Sequence, residues 1–261
     1  VSLVDDLGEP VPLHGCPNRV VSLVPSITEA VAVSVPGVLA GATDYCTHPA
    51  GLAVARVGGS KYPKLDAVRA VGADLVLANA EENRREDVAA LRADGIPVWV
   101  TEAAAGVPAA LASMRRMLAA VFGLEGDREP SWLVDAMDEW SDPVPAVTAT
   151  AVVPVWRRPW VVLGRDTFAG DVLRRLGIAN AYAGHAERYP RPPLSELRGL
   201  LDAGRADLVA LPDEPYRFTA EDGPDAFPGA RYALLDGRLL TWCGPSLAGA
   251  RRVLGDQLAD A

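Results

Sequence analysis

The stretch Ala73-Asp74-Leu75-Val76-Leu77-Ala78-Asn79-Ala80-Glu81-Glu82 has a counterpart far downstream in Ala206-Asp207-Leu208-Val209-Ala210-Leu211-Pro212-Asp213-Glu214-Pro215. Each follows a short helical pattern that ends in a glycine, Gly72 or Gly204. Recurrence of one strand-forming unit restricts the chain to a duplicated architecture, two similar α/β lobes whose equivalent strand ends, residues 79–83 and 212–216, face a common cleft. Chance is the alternative, because Ala-Asp-Leu-Val is an easy strand sequence.

The flanking residues carry the same alternation. Residues 1–18 read as a strand pair turning at Gly8-Glu9-Pro10, with His14 beyond it. Arg19-Val20-Val21-Ser22-Leu23-Val24 is an apolar, β-branched run of the kind buried on both faces of a sheet. It stops at Pro25, and Ser26-Ile27-Thr28-Glu29 spells a capping box, so a helix is expected to start at Ser26. Strands are expected over 38–44, 74–79 and 96–101, with helices over 65–71 and 86–93. Later come strands at 149–156, 161–164, 207–211 and 231–235, and helices at 167–176, 195–203 and 246–259. Alternation of this kind predicts parallel sheets covered by helices.

Residues 106–142 separate the two sets. Val107, Leu111, Met114, Leu118, Val121 and Phe122 share one helical face, and Pro108 suits a first turn. Pro130 is expected to begin a second helical segment ending near Asp142. The resulting division is an N-terminal lobe over 1–105, a backbone helix region over 106–142 and a C-terminal lobe over 143–261.

A net charge of −9 argues against nucleic acid or an anionic membrane as the main partner. No run approaches the roughly 20 apolar residues of a membrane span. The first residues lack the basic and apolar blocks of a signal peptide. The chain is therefore expected to be either a processed form working outside the cytoplasm or a cytoplasmic protein. Three cysteines, Cys16, Cys46 and Cys243, include no Cys-x-x-Cys pair and fit reduced thiols.

Catalytic machinery is hard to assemble from these residues. Ser26 lacks a Gly-x-Ser-x-Gly elbow and reads as a helix cap, and three histidines offer few bases. Cys46 and His48, two residues apart at a strand end, are weak candidates for holding a metal, because a structural zinc needs about four ligands. Gly58-Gly59-Ser60-Lys61-Tyr62 lacks the ending of a phosphate loop and places Lys61 and Tyr62 at a strand's carboxyl end. Trp156-Arg157-Arg158-Pro159-Trp160 joins two apolar strands by a turn. Indoles beside guanidinium groups suit a large, flat, partly anionic ligand; a hairpin whose tryptophans pack on its own lobe is the alternative. Arg165 precedes a second strand-to-capped-helix turn at Thr167. Trp242 is either a ligand platform or core.

Val20 to Glu29, Gly58-Gly59, Ala73 to Asn79 with Glu81-Glu82-Asn83, Gly95-Ile96-Pro97-Val98, and the Gly-x-x-Thr-Phe and Leu-Gly-Ile-x-Asn elements at 164–180 resemble the helical-backbone substrate-binding proteins of ABC importers. The likeness covers nearly the whole chain and is nearest to the cobalamin-binding branch. It implies an α/β fold of the periplasmic-binding-protein type: two three-layer lobes with parallel sheets, joined by a long backbone helix. It also implies a monomeric, non-enzymatic receptor with no intrinsic cofactor, whose ligand is cobalamin, haem or a ferric siderophore delivered to a permease. Pro25, Ser26, Tyr45, His48, Lys61, Tyr62, Trp156, Arg157, Trp160, Arg165 and Trp242 are the ligand-binding candidates. Tyr45 matches by position the tyrosine that contacts the corrin in that branch; the branch's next tryptophan falls near Ser60. Family members dock through one acid on each lobe, for which Glu82 or Glu86 and Glu214 or Glu221 are candidates. The rival reading is a cytoplasmic metal- or cofactor-handling protein or enzyme that uses Cys46 and His48.

Overall fold

Apolar runs without polar alternation need cover on both faces. Val20–Ser22, Leu75–Asn79 and Leu208–Pro212 are accordingly buried along almost their whole length. The computed structural model describes residues 3–261 and divides into two compact units. The first runs to Ala103 and adds Ala110–Asp135 and Cys243–Pro245. The second comprises Ala104–Ala109, Ala136–Trp242 and Ser246–Ala261.

In chain order the first unit contains β1 (Leu3–Val4), β2 (Pro10–Val11), β3 (Val20–Ser22), α1 (Pro25–Ser34), β4 (Leu39–Ala42), β5 (Ala55–Arg56), α2 (Leu65–Val71), β6 (Leu75–Asn79), α3 (Arg85–Ala93) and β7 (Val98–Thr101). Its sheet has the order β5-β4-β3-β6-β7, parallel throughout. Val21, Leu23, Val68, Val76, Val88 and Leu91 form its core. The β1–β2 hairpin lies against the β7 edge, where Asp6 N donates to Val100 O. Asp5, its side chain fully buried, accepts there from Arg92 at 2.7 Å and from Val100 N at 3.2 Å. An open sheet edge is thereby covered.

Two helices follow, α4 (Val107–Phe122) and α5 (Ser131–Glu139). The second begins just after Pro130, as expected. A single rod does not form over 106–142, because the chain turns left-handed at Gly123 (φ 64°), a conformation that L side chains resist.

The second unit contains β8 (Ala149–Val152), β9 (Pro154–Trp156), β10 (Val161–Val162), α6 (Phe168–Arg175), β11 (Ile178–Asn180), α7 (Leu194–Asp202), β12 (Leu208–Pro212), α8 (Asp222–Ala226), β13 (Tyr232–Leu235), α9 (Gly237–Thr241) and α10 (Ala250–Ala259). Its parallel sheet has the order β11-β8-β12-β13. Residues 149–156 are two strands instead of the one expected. Pro154 has no N–H for the ladder, so the chain leaves the sheet and pairs antiparallel with β10. The last helix starts later than expected, after a left-handed Gly249 (φ 87°).

The sequence echo has a structural counterpart. Gly72 (φ 66°) and Gly204 (φ 64°) end their helices in the same left-handed turn. Asp74 N then donates to Arg19 O, and its carboxylate accepts from Asn18 N and Arg19 N at the start of β3. Asp207 N likewise donates to Thr150 O, and its carboxylate accepts from Thr150 N at 2.7 Å in β8. In each unit this aspartate pins the neighbouring strand in register.

Candidate functional site

The order of an open parallel sheet decides where its loops splay apart, and ligands bind at the carboxyl ends of strands at that switch point. In the first unit the switch lies between β3 and β6, and in the second between β8 and β12.

At the first switch point, Asn83 ties three segments together. Its Oδ1 accepts from Asn79 N at 2.8 Å, and its Nδ2 donates to Ser60 O at 2.8 Å and to Leu23 O at 3.4 Å. Lys61 Nζ donates to Glu81 O at 3.3 Å. The segment after β4 is held from below: Arg56 donates to Thr43 O, Cys46 O and Leu52 O, and the Cys46 Sγ lies 3.0 Å from Thr28 Oγ1 and 3.1 Å from Thr43 Oγ1. Above this support Tyr45 is 67% exposed, with its ring beside Gly59, where a Cβ would approach Cε2 to 3.5 Å. Tyr62 is 69% exposed and carries the Arg84 guanidinium 4.8 Å above its ring. Pro25 and Ser26 are half-buried.

Two titrations follow from this packing. Burial, with the Glu81 charge adding to it and Lys61 opposing it, pushes the Glu82 carboxyl up to about 7. Burial also pushes the Cys46 thiol up, against the hydrogen bonds from Thr28 and Thr43. Cys46, one of the two weak metal candidates, is thus a fully buried thiol set between two hydroxyls. His48 Nδ1 is bonded to Thr47 Oγ1 at 3.0 Å. Among the described residues no three His, Cys, Asp or Glu gather into a metal-binding group.

The second switch point is aromatic. Trp156, on β9, meets Tyr216, on the segment leaving β12, edge to face at 5.6 Å. Tyr216 contacts Phe218 at 4.6 Å, Phe218 stacks on Trp160 at 6.1 Å, and Trp160 meets Phe227 at 5.5 Å. This run leads from Trp156, 45% exposed, to Phe227, 2% exposed. Trp160 thus packs on its own unit, and Trp156 stands out. The Arg157 guanidinium pairs with Asp222 and Asp225 and lies 5.6 Å from the Trp160 ring centroid. Arg165 is exposed and pairs with Asp166 at 3.3 Å, and Thr167 caps α6 as expected. Ser26 does not cap α1, which starts one residue earlier with Pro25 at its first position and Val24 as its cap residue.

Trp242 is buried. It is 7% exposed, and its Nε1 donates to Glu214 Oε2 at 2.9 Å. This contact places Glu214, a docking candidate, half-buried beside an indole, while Glu86 and Glu221 are exposed.

One feature was missed from sequence. An open groove of about 930 Å³ follows β11, lined by Tyr182, His185, Glu187, Arg188, Tyr189 and Arg191 among others. Tyr182 donates to Glu196 Oε1 at 2.7 Å. His185 Nδ1 accepts from Glu187 N, so the neutral ring carries its proton on Nε2. The prolines at 190, 192 and 193 marked only a loop in the sequence. A groove of about 600 Å³ at the amino ends of β3 and β4 is lined by Asn18, Arg19, Gly37 and small apolar residues, without an aromatic.

No protein-family model matches the chain, and no curated protein does. Solved structures do. A periplasmic haem-binding protein from Pseudomonas aeruginosa matches with a TM-score of 0.76 at 21% identity, over 94% of this chain and 94% of that one. A periplasmic vitamin B12-binding protein of Vibrio cholerae matches with a TM-score of 0.68 at 16% identity, over 94% and 97%. The molybdate periplasmic binding protein of a Haemophilus influenzae ABC transporter matches with a TM-score of 0.75 at 14% identity, over 100% and 91%. The chain therefore has the α/β fold of these helical-backbone periplasmic binding proteins, with two parallel sheets flanked by helices.

Proposed function

We propose that this chain is a non-enzymatic substrate-binding receptor of an ABC importer. Its ligand is a metal-centred molecule of the corrinoid, haem or ferric-siderophore class. The observation that carries the reading is where the aromatic surface lies. Among the described residues the exposed large aromatics are Tyr45, Tyr62, Trp156 and Tyr189, and each sits on a segment leaving the carboxyl end of a sheet strand. Aromatic rings are costly to leave in water without a partner, and rigid faces of this kind recognise flat or bulky apolar ligands with little ordering entropy. The likeness of fold to haem-, vitamin B12- and molybdate-binding proteins supports the same reading. Glu86 and Glu221, the exposed acids among the four candidates, are offered to the permease, and the work is done outside the cytoplasmic membrane. No described helix is long and apolar enough to cross a membrane.

The test is titration of tryptophan emission with cyanocobalamin, haemin, a ferric hydroxamate and molybdate. Saturable quenching by one of the three metal-centred ligands at micromolar concentration or below supports the reading. Saturation by molybdate alone moves the ligand class to oxyanions, and four flat titrations contradict a receptor of this kind.

A further inference from the structure

The Trp156 hairpin carries an arginine that is not available to a ligand. Arg157 is 15% exposed along its side chain and pairs with Asp222 through one terminal nitrogen and with Asp225 through the other. Asp222 is itself fixed: its second oxygen accepts from Thr219 N at 2.8 Å and Thr219 Oγ1 at 3.0 Å. Burial pushes the Asp222 carboxyl up, but the bonds from Thr219 and Arg157 outweigh it and hold it below the usual carboxylate range. Residues 213–225, which supply Tyr216 to the exposed indole, carry Asp213, Glu214, Glu221, Asp222 and Asp225 against the single base Arg217. The hairpin itself adds Arg157 and the exposed Arg158, so five acids stand against three bases around the exposed Trp156 and the half-buried Tyr216. Such a net-acidic surround is complementary to an uncharged or cationic flat face and unfavourable to a carboxylate-bearing one.

We propose that Asp222 and Asp225 determine the charge class of the ligand: by occupying Arg157 they make the aromatic hairpin select uncharged or cationic flat ligands over anionic ones. The inference rests on the receptor reading and adds a specificity that the fold does not supply. Specificity here comes from a repulsive element beside an attractive one, the acids excluding what the indole alone would accept.

Two porphyrins with the same ring and opposite periphery, tetrakis(N-methylpyridyl)porphyrin and tetrakis(sulfonatophenyl)porphyrin, separate charge from shape. The native chain is expected to bind the cationic ring about tenfold more tightly, as judged by tryptophan quenching at low ionic strength. Asp225→Asn, at a carboxylate that is 64% exposed and tolerant of change, partly unmasks Arg157 and is expected to move the ratio about threefold towards the anionic ring. Arg157→Gln is expected to move it the other way, a reversal that loss of folding does not produce. Equal binding of both rings by the native chain, or a ratio unmoved in Asp225→Asn, overturns the charge selection and leaves the receptor reading standing. If neither porphyrin nor any of the four ligands above quenches, the receptor reading fails and this inference falls with it.

Discussion

Trp242 Nε1 donates to Glu214 Oε2 at 2.9 Å, joining two side chains to which the sequence assigns separate duties, one facing a ligand and one facing a permease. Burial pushes the Glu214 carboxyl up, while the indole bond and Arg238 work against that rise. Trp242→Phe keeps most of the packing and removes the donor. It is expected to cost about 1 to 3 kcal/mol at pH 8, where the half-buried carboxylate is ionised, and less at pH 4, where it is protonated. Urea unfolding at the two pH values reads the difference, and equal losses would show that the bond does not stabilise the ionised form.

Glu82 gives a pH-dependent stability of definite sign. Its folded value of about 7 lies above the ordinary glutamate value of 4.5, so between these values the folded chain holds more proton than the unfolded one. Stability therefore falls as pH rises through that window, and below it the group contributes no penalty. Glu82→Gln is expected to be nearly neutral at pH 4 and stabilising by on the order of 1 to 3 kcal/mol at pH 8. Chemical denaturation across pH 4 to 8 checks it; parallel curves for the two proteins would contradict the assignment.

The two pinning aspartates are expected to behave alike. Asp74→Ala and Asp207→Ala each remove carboxylate bonds to backbone N–H groups of a neighbouring strand, and each is expected to cost about 1 kcal/mol. The losses should add in the double variant, because the residues lie in separate units and bond to different strands. Thermal unfolding measures the sum, and a large departure from additivity would contradict separate pinning roles for the two aspartates.

Thiol labelling tests the site's buried chemistry. Cys16 is exposed, Cys46 is fully buried, and burial pushes Cys243 up to about 12. One thiol is expected to react quickly with an aromatic disulfide reagent in the native chain, and all three after unfolding. Fast native labelling that disappears in Cys46→Ser would restore Cys46 as a reactive group.

Much of the fold was legible because parallel strands write themselves as unbroken apolar runs: β6 and β12 lie where Ala-Asp-Leu-Val places them. Shorter elements were not. The three residues of β11 and the two of β5 are too few to show a period, and the five residues of α9, capped by Asp236, are too few to show a helical one. The candidate site was legible as residue types at strand ends, and Tyr45, Tyr62 and Trp156 are exposed there. Partner choice was not: nothing local says that Arg157 spends its charge on acids some 65 residues later, or that Trp242 turns inward. Tyr189 went unseen because it lies in a proline-rich stretch that the sequence reads only as turns.

The most direct test of the central claim is the affinity of Tyr45→Ala and Trp156→Ala for whichever of cyanocobalamin, haemin or the ferric hydroxamate saturates the native chain, with Val33→Ala as an exposed apolar control away from the strand ends. Because these variants remove a fluorophore or a contact near one, isothermal titration calorimetry is the readout. The account predicts at least about a tenfold loss for each aromatic variant, as expected when a large ring is removed from a binding face, and no change for the control. Unchanged affinity in both aromatic variants would contradict a receptor built on the aromatic carboxyl ends of its strands.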